Sequence, residues 1–173
     1  MNNYIQTTYE TCLAISLLNI LKIHIDKTKE KEVIIFSLDF SKDSFTLGHL
    51  EYFCKYYDSK FNLYIDNDIY KNFLWNIKFS QNINLVNKKI NLTFIDKFIQ
   101  ENKSIVIYFD SYYLYKIVHY PHFITILGKE WEKYKIYDSW DWKVKFLDSS
   151  ILWKWINSLR KILKFCPQLI ELI

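Results

Sequence analysis

The chain has 173 residues, half of them hydrophobic and 19% aromatic, which is enough to bury a core and too apolar for a disordered segment. Its 23 basic and 19 acidic residues leave a net charge of +4, too small a surplus for nucleic-acid binding, and no basic stripe interleaves with the aromatics. No apolar run approaches the ~18 residues of a membrane span. The start MNNYIQTTYETC carries no basic-then-apolar leader, so the chain reads as soluble and cytoplasmic.

In chain order, the first half reads helical. A polar TYET start leads into Leu13, Ile15, Leu17, Leu18, Ile20, Leu21 and Ile25, a broad apolar face with Thr8 and Thr11 as candidate caps. KTKEKE at 27–32 reads as a charged break, a solvated loop or helix end. Helical spacing returns over 44–58 with Leu47, Leu50, Phe53, Cys54 and Tyr57, followed by a short strand, FNLYI, at 61–65. Residues 66–92 are Asn-rich and ambiguous. LTFIDKFIQEN at 92–102 is a short amphipathic helix, and SIVIYFD at 104–110 a buried strand. HFITILGKEW, KYKIYDSW and KVKFLD then form three β-rich runs with short polar turns, an antiparallel meander. A basic amphipathic helix over 151–165 closes the pattern. Helices first and strands later, without βαβ alternation, predict one α+β domain over 1–173, its N-terminal helices on one side of a C-terminal antiparallel sheet.

Three cysteines without a CxxC pair give no disulfide framework or thiolate zinc site, and the four histidines include no i, i+4 pair. No metal or cofactor is indicated. The cysteines differ in setting. A helix N-terminus favours a thiolate through its unpaired N–H groups and dipole, and Cys12 stands where the helix pattern begins. Cys54 lies mid-helix among apolar neighbours and Cys166 precedes Pro167, so both read as small core residues.

A nucleophilic cysteine needs a base, and the base needs an orienting group. His122 opens the strand HFITILG and Asp138 ends the strand KYKIYD. If these strands pair through a turn within 129–132, the two side chains come to neighbouring strand ends on one face. His119 is a rival base, but it precedes Pro121 in a loop. Asp141 and Asp110 are rival orienters. His24 and His49 read as helix residues in surface or packing roles. Acyl chemistry at a thiol also builds an oxyanion that preorganised donors must meet. The Cys12 N–H and the side-chain amide of Gln6 are the candidates.

Gln6, five residues, Cys12 and then an apolar helix resemble the start of papain-like cysteine peptidases. FTLGHLEYFCKYYD, SIVIYFD, HFITILG and YKIYDSW follow in the order of the bacteriocin-processing (double-glycine leader) branch and its stand-alone relatives. The resemblance implies a papain-like fold and a peptidase whose Cys12, His122 and Asp138 form a triad, with Gln6 as oxyanion donor. Two positions depart from it. Leu13 replaces the Gly that usually follows the cysteine, placing a side chain at the expected cleft floor. Ser139 replaces the usual Pro and is expected to bear on the turn alone.

The expected function is therefore a thiol hydrolase acting on a peptide or protein substrate. A thiol acyltransferase and a degenerate peptide-binding domain closed by Leu13 are the alternatives. The last helix has the look of a membrane-surface segment. The plainer expectation packs its Trp and Leu face on the domain and leaves Lys154, Arg160, Lys161 and Lys164 in water. The sequence leaves the oligomeric state open.

Overall fold

A computed structural model describes residues 6–8, 11–40, 44–141 and 143–173. Helix α1 (Cys12–Ile20) is followed by α2 (Lys27–Phe40), α3 (Phe45–Tyr57), strand β1 (Phe61–Ile65), α4 (Asp68–Trp75), β2 (Ile83–Asn87) and α5 (Leu92–Gln100). Then come β3 (Ile105–Asp110), a short α6 (Tyr112–Tyr115), β4 (Pro121–Glu130), β5 (Lys133–Asp138), β6 (Lys143–Asp148), α7 (Ser149–Lys161) and β7 (Gln168–Leu172). The architecture is α+β. Among the described residues seven strands form one sheet in the order β2-β1-β7-β3-β4-β5-β6.

Two features of the expected sheet are corrected. It is mixed rather than antiparallel, because β1 and β2 run parallel from Phe61↔Ile83 to Ile65↔Asn87. A parallel pair cannot be joined by a tight turn. The ambiguous stretch 66–92 supplies the crossover, with α4 capped by the Asn67 side chain, which accepts the Tyr70 N–H. The helices also cover both faces of the sheet, not one. One face packs α1, α2 and α3 in a cluster that includes Leu17, Val33, Leu50, Phe53, Val106, Phe123 and Ile170. The other packs α5 and α7 through Ile95, Trp155 and Ile156 against Ile105, Ile107, Ile124 and Leu169. The strand IVIYFD has apolar residues at consecutive positions, as a two-sided burial requires.

The run KTKEKE is likewise not a loop: it is the first turn and a half of α2. Asp26 caps it by accepting the Lys29 N–H at 2.7 Å, and Glu30 is fully buried. Between α1 and α2, His24 lies outside both helices. His49 is buried on α3, its ring 4.1 Å from that of Phe45, and burial lowers its pKa to about 4.

The helix α1 is buried from Cys12 to Leu18 and lies across β3 and β4, so it acts as a central strut. The strands β4 and β5 pair through Thr125↔Tyr137 and Ile126↔Ile136, with a bulge at Leu127 and a turn of Trp131 and Glu132. That register carries His122 and Asp138 to the same end of the hairpin. The apolar face of α7 (Leu152, Trp155, Ile156, Leu159) packs inward, as the plainer reading of that helix expected, but Arg160 is not left in water: it pairs with Asp66 and donates to the Ile90 carbonyl.

Gly48 is needed where α3 crosses α2. A Cβ there would come within 2.5 Å of the Ser37 carbonyl oxygen, a backbone atom that cannot yield cheaply. Gly48→Ala is expected to cost about 1–3 kcal/mol through overpacking, seen as a lower denaturant midpoint. Gly128→Ala, where a Cβ meets nothing within 4 Å, should leave that midpoint nearly unchanged.

Candidate active site

Cys12 is the first residue of α1 and is 6% exposed. Thr11 precedes it as the cap residue but makes no side-chain cap; its hydroxyl donates to the Thr8 carbonyl at 2.8 Å. The first-turn N–H groups of a helix are not consumed by the helix itself, so the sulfur sits at the positive end of α1. Opposite it runs the start of β4, where the Phe123 N–H points at the Cys12 sulfur, 3.5 Å away.

His122 immediately precedes Phe123 and is fully buried. It faces Phe109 across the β3–β4 ladder, and Pro121 occupies the first strand position, where a missing N–H is tolerated. Its Nε2 is 2.9 Å from Asp138 Oδ1. A carboxylate only accepts, so Nε2 carries a proton and Nδ1 is left for other work. Nδ1 completes no hydrogen bond of ordinary geometry, yet the Cys12 sulfur acts on it electrically. Burial alone drives the imidazole pKa down. The charge of the Cys12 sulfur and the bond to Asp138 outweigh it and lift His122 to about 9.

Asp138 ends β5 with no exposed surface. Burial pushes its carboxyl up, but the His122 contact, the Tyr115 hydroxyl and Lys145 together hold it well below the usual carboxylate range. Each oxygen has two donors. Oδ1 takes His122 Nε2 and the Trp140 N–H at 3.0 Å; Oδ2 takes the Tyr115 hydroxyl and Lys145 Nζ at 3.2 Å. The Trp140 ring lies over His122, centroids 4.2 Å apart.

Cys12, His122 and Asp138 thus meet at one end of the hairpin. The rivals are engaged elsewhere. His119 Nδ1 bonds Asp110 Oδ2 at 2.6 Å, and Ser158 donates to the same carboxylate. Asp141 is half-buried and pairs with Lys145 at 2.7 Å. Gln6 makes no hydrogen bond to Cys12 or His122 among the described residues. Its Nε2 donates to the Thr8 carbonyl at 2.7 Å and its Oε1 accepts the Ser139 hydroxyl at 2.5 Å. Ser139 is fully buried, so its role extends beyond the turn, contrary to expectation. The Leu13 side chain packs into the core at 1% exposure rather than forming a cleft floor.

Several partners escaped the sequence reading. The Trp140 N–H reaches Asp138 locally, two residues along the chain, whereas Tyr115 and Lys145 reach it only through tertiary placement. The same holds for Glu30, whose Oε1 accepts the Thr7 N–H at 2.8 Å and anchors the segment bearing Gln6. Two hollows open beside the site. Phe123 and Tyr108 line a groove of ≈ 910 Å³ with Phe45, Tyr70, Phe73 and Phe165. Gln6, Thr7, Thr8 and Trp140 line a second of ≈ 610 Å³.

Comparison with known proteins gives no match, either to a protein-family model or to a curated protein sequence. Among the described residues no helix is long and apolar enough to cross a membrane.

Burial pushes the Cys54 thiol up to about 12 and that of Cys166 up to about 11, leaving both poor nucleophiles near neutrality. Iodoacetamide at pH 6 should therefore modify Cys12 well before the other two, and His122→Ala should slow that modification. Peptide mapping of the alkylated protein checks this. Equal labelling of all three cysteines, or labelling only after unfolding, would contradict the distinction.

Proposed function

We propose that this protein is a thiol hydrolase of papain-like fold that cleaves a peptide or amide bond. One observation carries the reading: Cys12 opens a helix with its sulfur 3.5 Å from the backbone nitrogen of Phe123, the residue next to His122, whose Nε2 is fixed by a buried aspartate.

The chemistry follows from that orientation. With Nε2 bound to Asp138, Nδ1 takes the Cys12 proton, and the carboxylate stabilises the resulting imidazolium. The sulfur attacks the substrate carbonyl and forms a C–S bond, while the carbonyl oxygen becomes an oxyanion. The Cys12 N–H and the second N–H of Gln6 Nε2 are the donors available to meet it. The tetrahedral species then collapses, the C–N bond breaks, and Nδ1 returns its proton to the leaving amine. Water, deprotonated by His122, attacks the thioester, releases the acid and restores the thiol. No redox partner or metal is required for any of these transfers.

The aromatic groove beside Phe123 suits apolar side chains of a peptide, which supports a peptide substrate. The burial of Leu13 in the core favours an enzyme over a closed, binding-only domain. An amine in place of water at the thioester would make the same site an acyltransferase.

p-Nitrophenyl acetate, an activated ester, tests the reading without a known substrate. Cys12→Ala should abolish hydrolysis at this site with the fold retained, because the removed thiol is small. Gln6→Ala should lower the acylation rate by about 10²–10³, as loss of one oxyanion donor does elsewhere. Release of p-nitrophenolate measures both, and equal release by wild type and Cys12→Ala would remove Cys12 as the nucleophile.

A further inference from the structure

We propose that Ser139 is a positioning residue for Gln6, so that one turn after β5 sets both the orientation of the base and that of the oxyanion donor. The inference rests on the reading of Cys12 as nucleophile and Gln6 as donor.

An amide side chain is nearly symmetric in shape, and only one of its ends can donate. Turned the wrong way, Gln6 would offer a lone pair to a developing anion. Its contacts leave one orientation. The Thr8 carbonyl can only accept, so the end 2.7 Å from it is nitrogen. The other end is then oxygen, and the Ser139 hydroxyl 2.5 Å away must be the donor. Nε2 has two hydrogens and Thr8 takes one, which leaves the second for an oxyanion. Ser139 is fully buried, so water cannot readily replace its hydroxyl. The main chain reinforces the dock, with the Gln6 N–H directed at the Ser139 carbonyl at 3.4 Å. On the other side Glu30 holds the Thr7 N–H at 2.8 Å.

The neighbours of Ser139 complete the picture. Asp138 orients His122, and Trp140 gives its N–H to Asp138 and its ring to His122. Three consecutive residues thus address the base on one side and the oxyanion donor on the other. A shift in this turn would misplace both groups together.

Two reactions at Cys12 separate this role from a general structural one. Acylation by p-nitrophenyl acetate passes through an oxyanion, whereas alkylation by iodoacetamide does not. Ser139→Ala removes one hydrogen bond to Gln6 and should slow acylation about 5–10-fold while alkylation keeps its wild-type rate. Ser139→Thr restores the hydroxyl and should restore acylation. Adding Ser139→Ala to Gln6→Ala should cost nothing further, since the residue acts through Gln6. Should the alanine variant fail to fold, Ser139→Cys, similar in size and a weaker donor, should give an intermediate acylation rate with unchanged alkylation. Equal slowing of both reactions, or additive loss with Gln6→Ala, would overturn the proposal. A wild-type protein alkylated at Cys12 but never acylated there would remove the hydrolase reading itself, and the positioning role with it.

Discussion

The buried contact between His122 and Asp138 organises this end of the molecule. Neither side chain has exposed surface, and an ionised carboxylate out of water is tolerated only when its lone pairs are met. Four donors surround Asp138, drawn from β4, β6, the segment after β3 and its own following turn. The chain must bring all of them to one point, which constrains the β4–β5 register, the place of Tyr115 and the course of the turn through Trp140. Moving Asp138 one residue along β5 would turn its carboxylate to the other face of the sheet and strand His122.

The sheet explains how such a site is kept rigid. The last strand, β7, inserts between β1 and β3 and pairs with both, so the C-terminal end of the chain closes the centre of the sheet. The strand β3 is thereby fixed on two sides, and it carries β4 and α1. Phe109 on β3 stacks on Trp155 of α7 at 4.5 Å and lies beneath His122 at 5.6 Å. The core thus supports the imidazole from below while Trp140 covers it from above.

Much of this was legible in the sequence, for identifiable reasons. The strand β6 matches KVKFLD, and α5 matches its amphipathic pattern to within two residues, because side-chain periodicity and local caps set both elements. The proximity of His122 and Asp138 follows from a short hairpin, a local feature. What escaped depends on distant partners. KTKEKE looks solvated until the Thr7 N–H is seen to need Glu30. QLIEL is a short apolar run after a helix, and nothing within it says that β1 and β3 leave a gap for a central strand. The parallel pairing of β1 with β2 likewise arises from the crossover through α4, inside a stretch whose many asparagines read as loop. Asn67 and Asn91 in fact cap helices there.

The central claim is that the Cys12 sulfur and His122 form one proton-sharing unit held by Asp138. NMR titration of isotope-labelled histidine, with the His122 resonances assigned by comparison with His122→Gln, reads that unit directly. The wild-type imidazole should stay doubly protonated past neutrality, losing a proton only near about 9, and should titrate at lower pH in Cys12→Ala, where the sulfur's charge is gone. An imidazole that titrates near the ordinary histidine value of 6.5, alike in wild type and Cys12→Ala, would show that the two groups do not share a proton and would contradict the account.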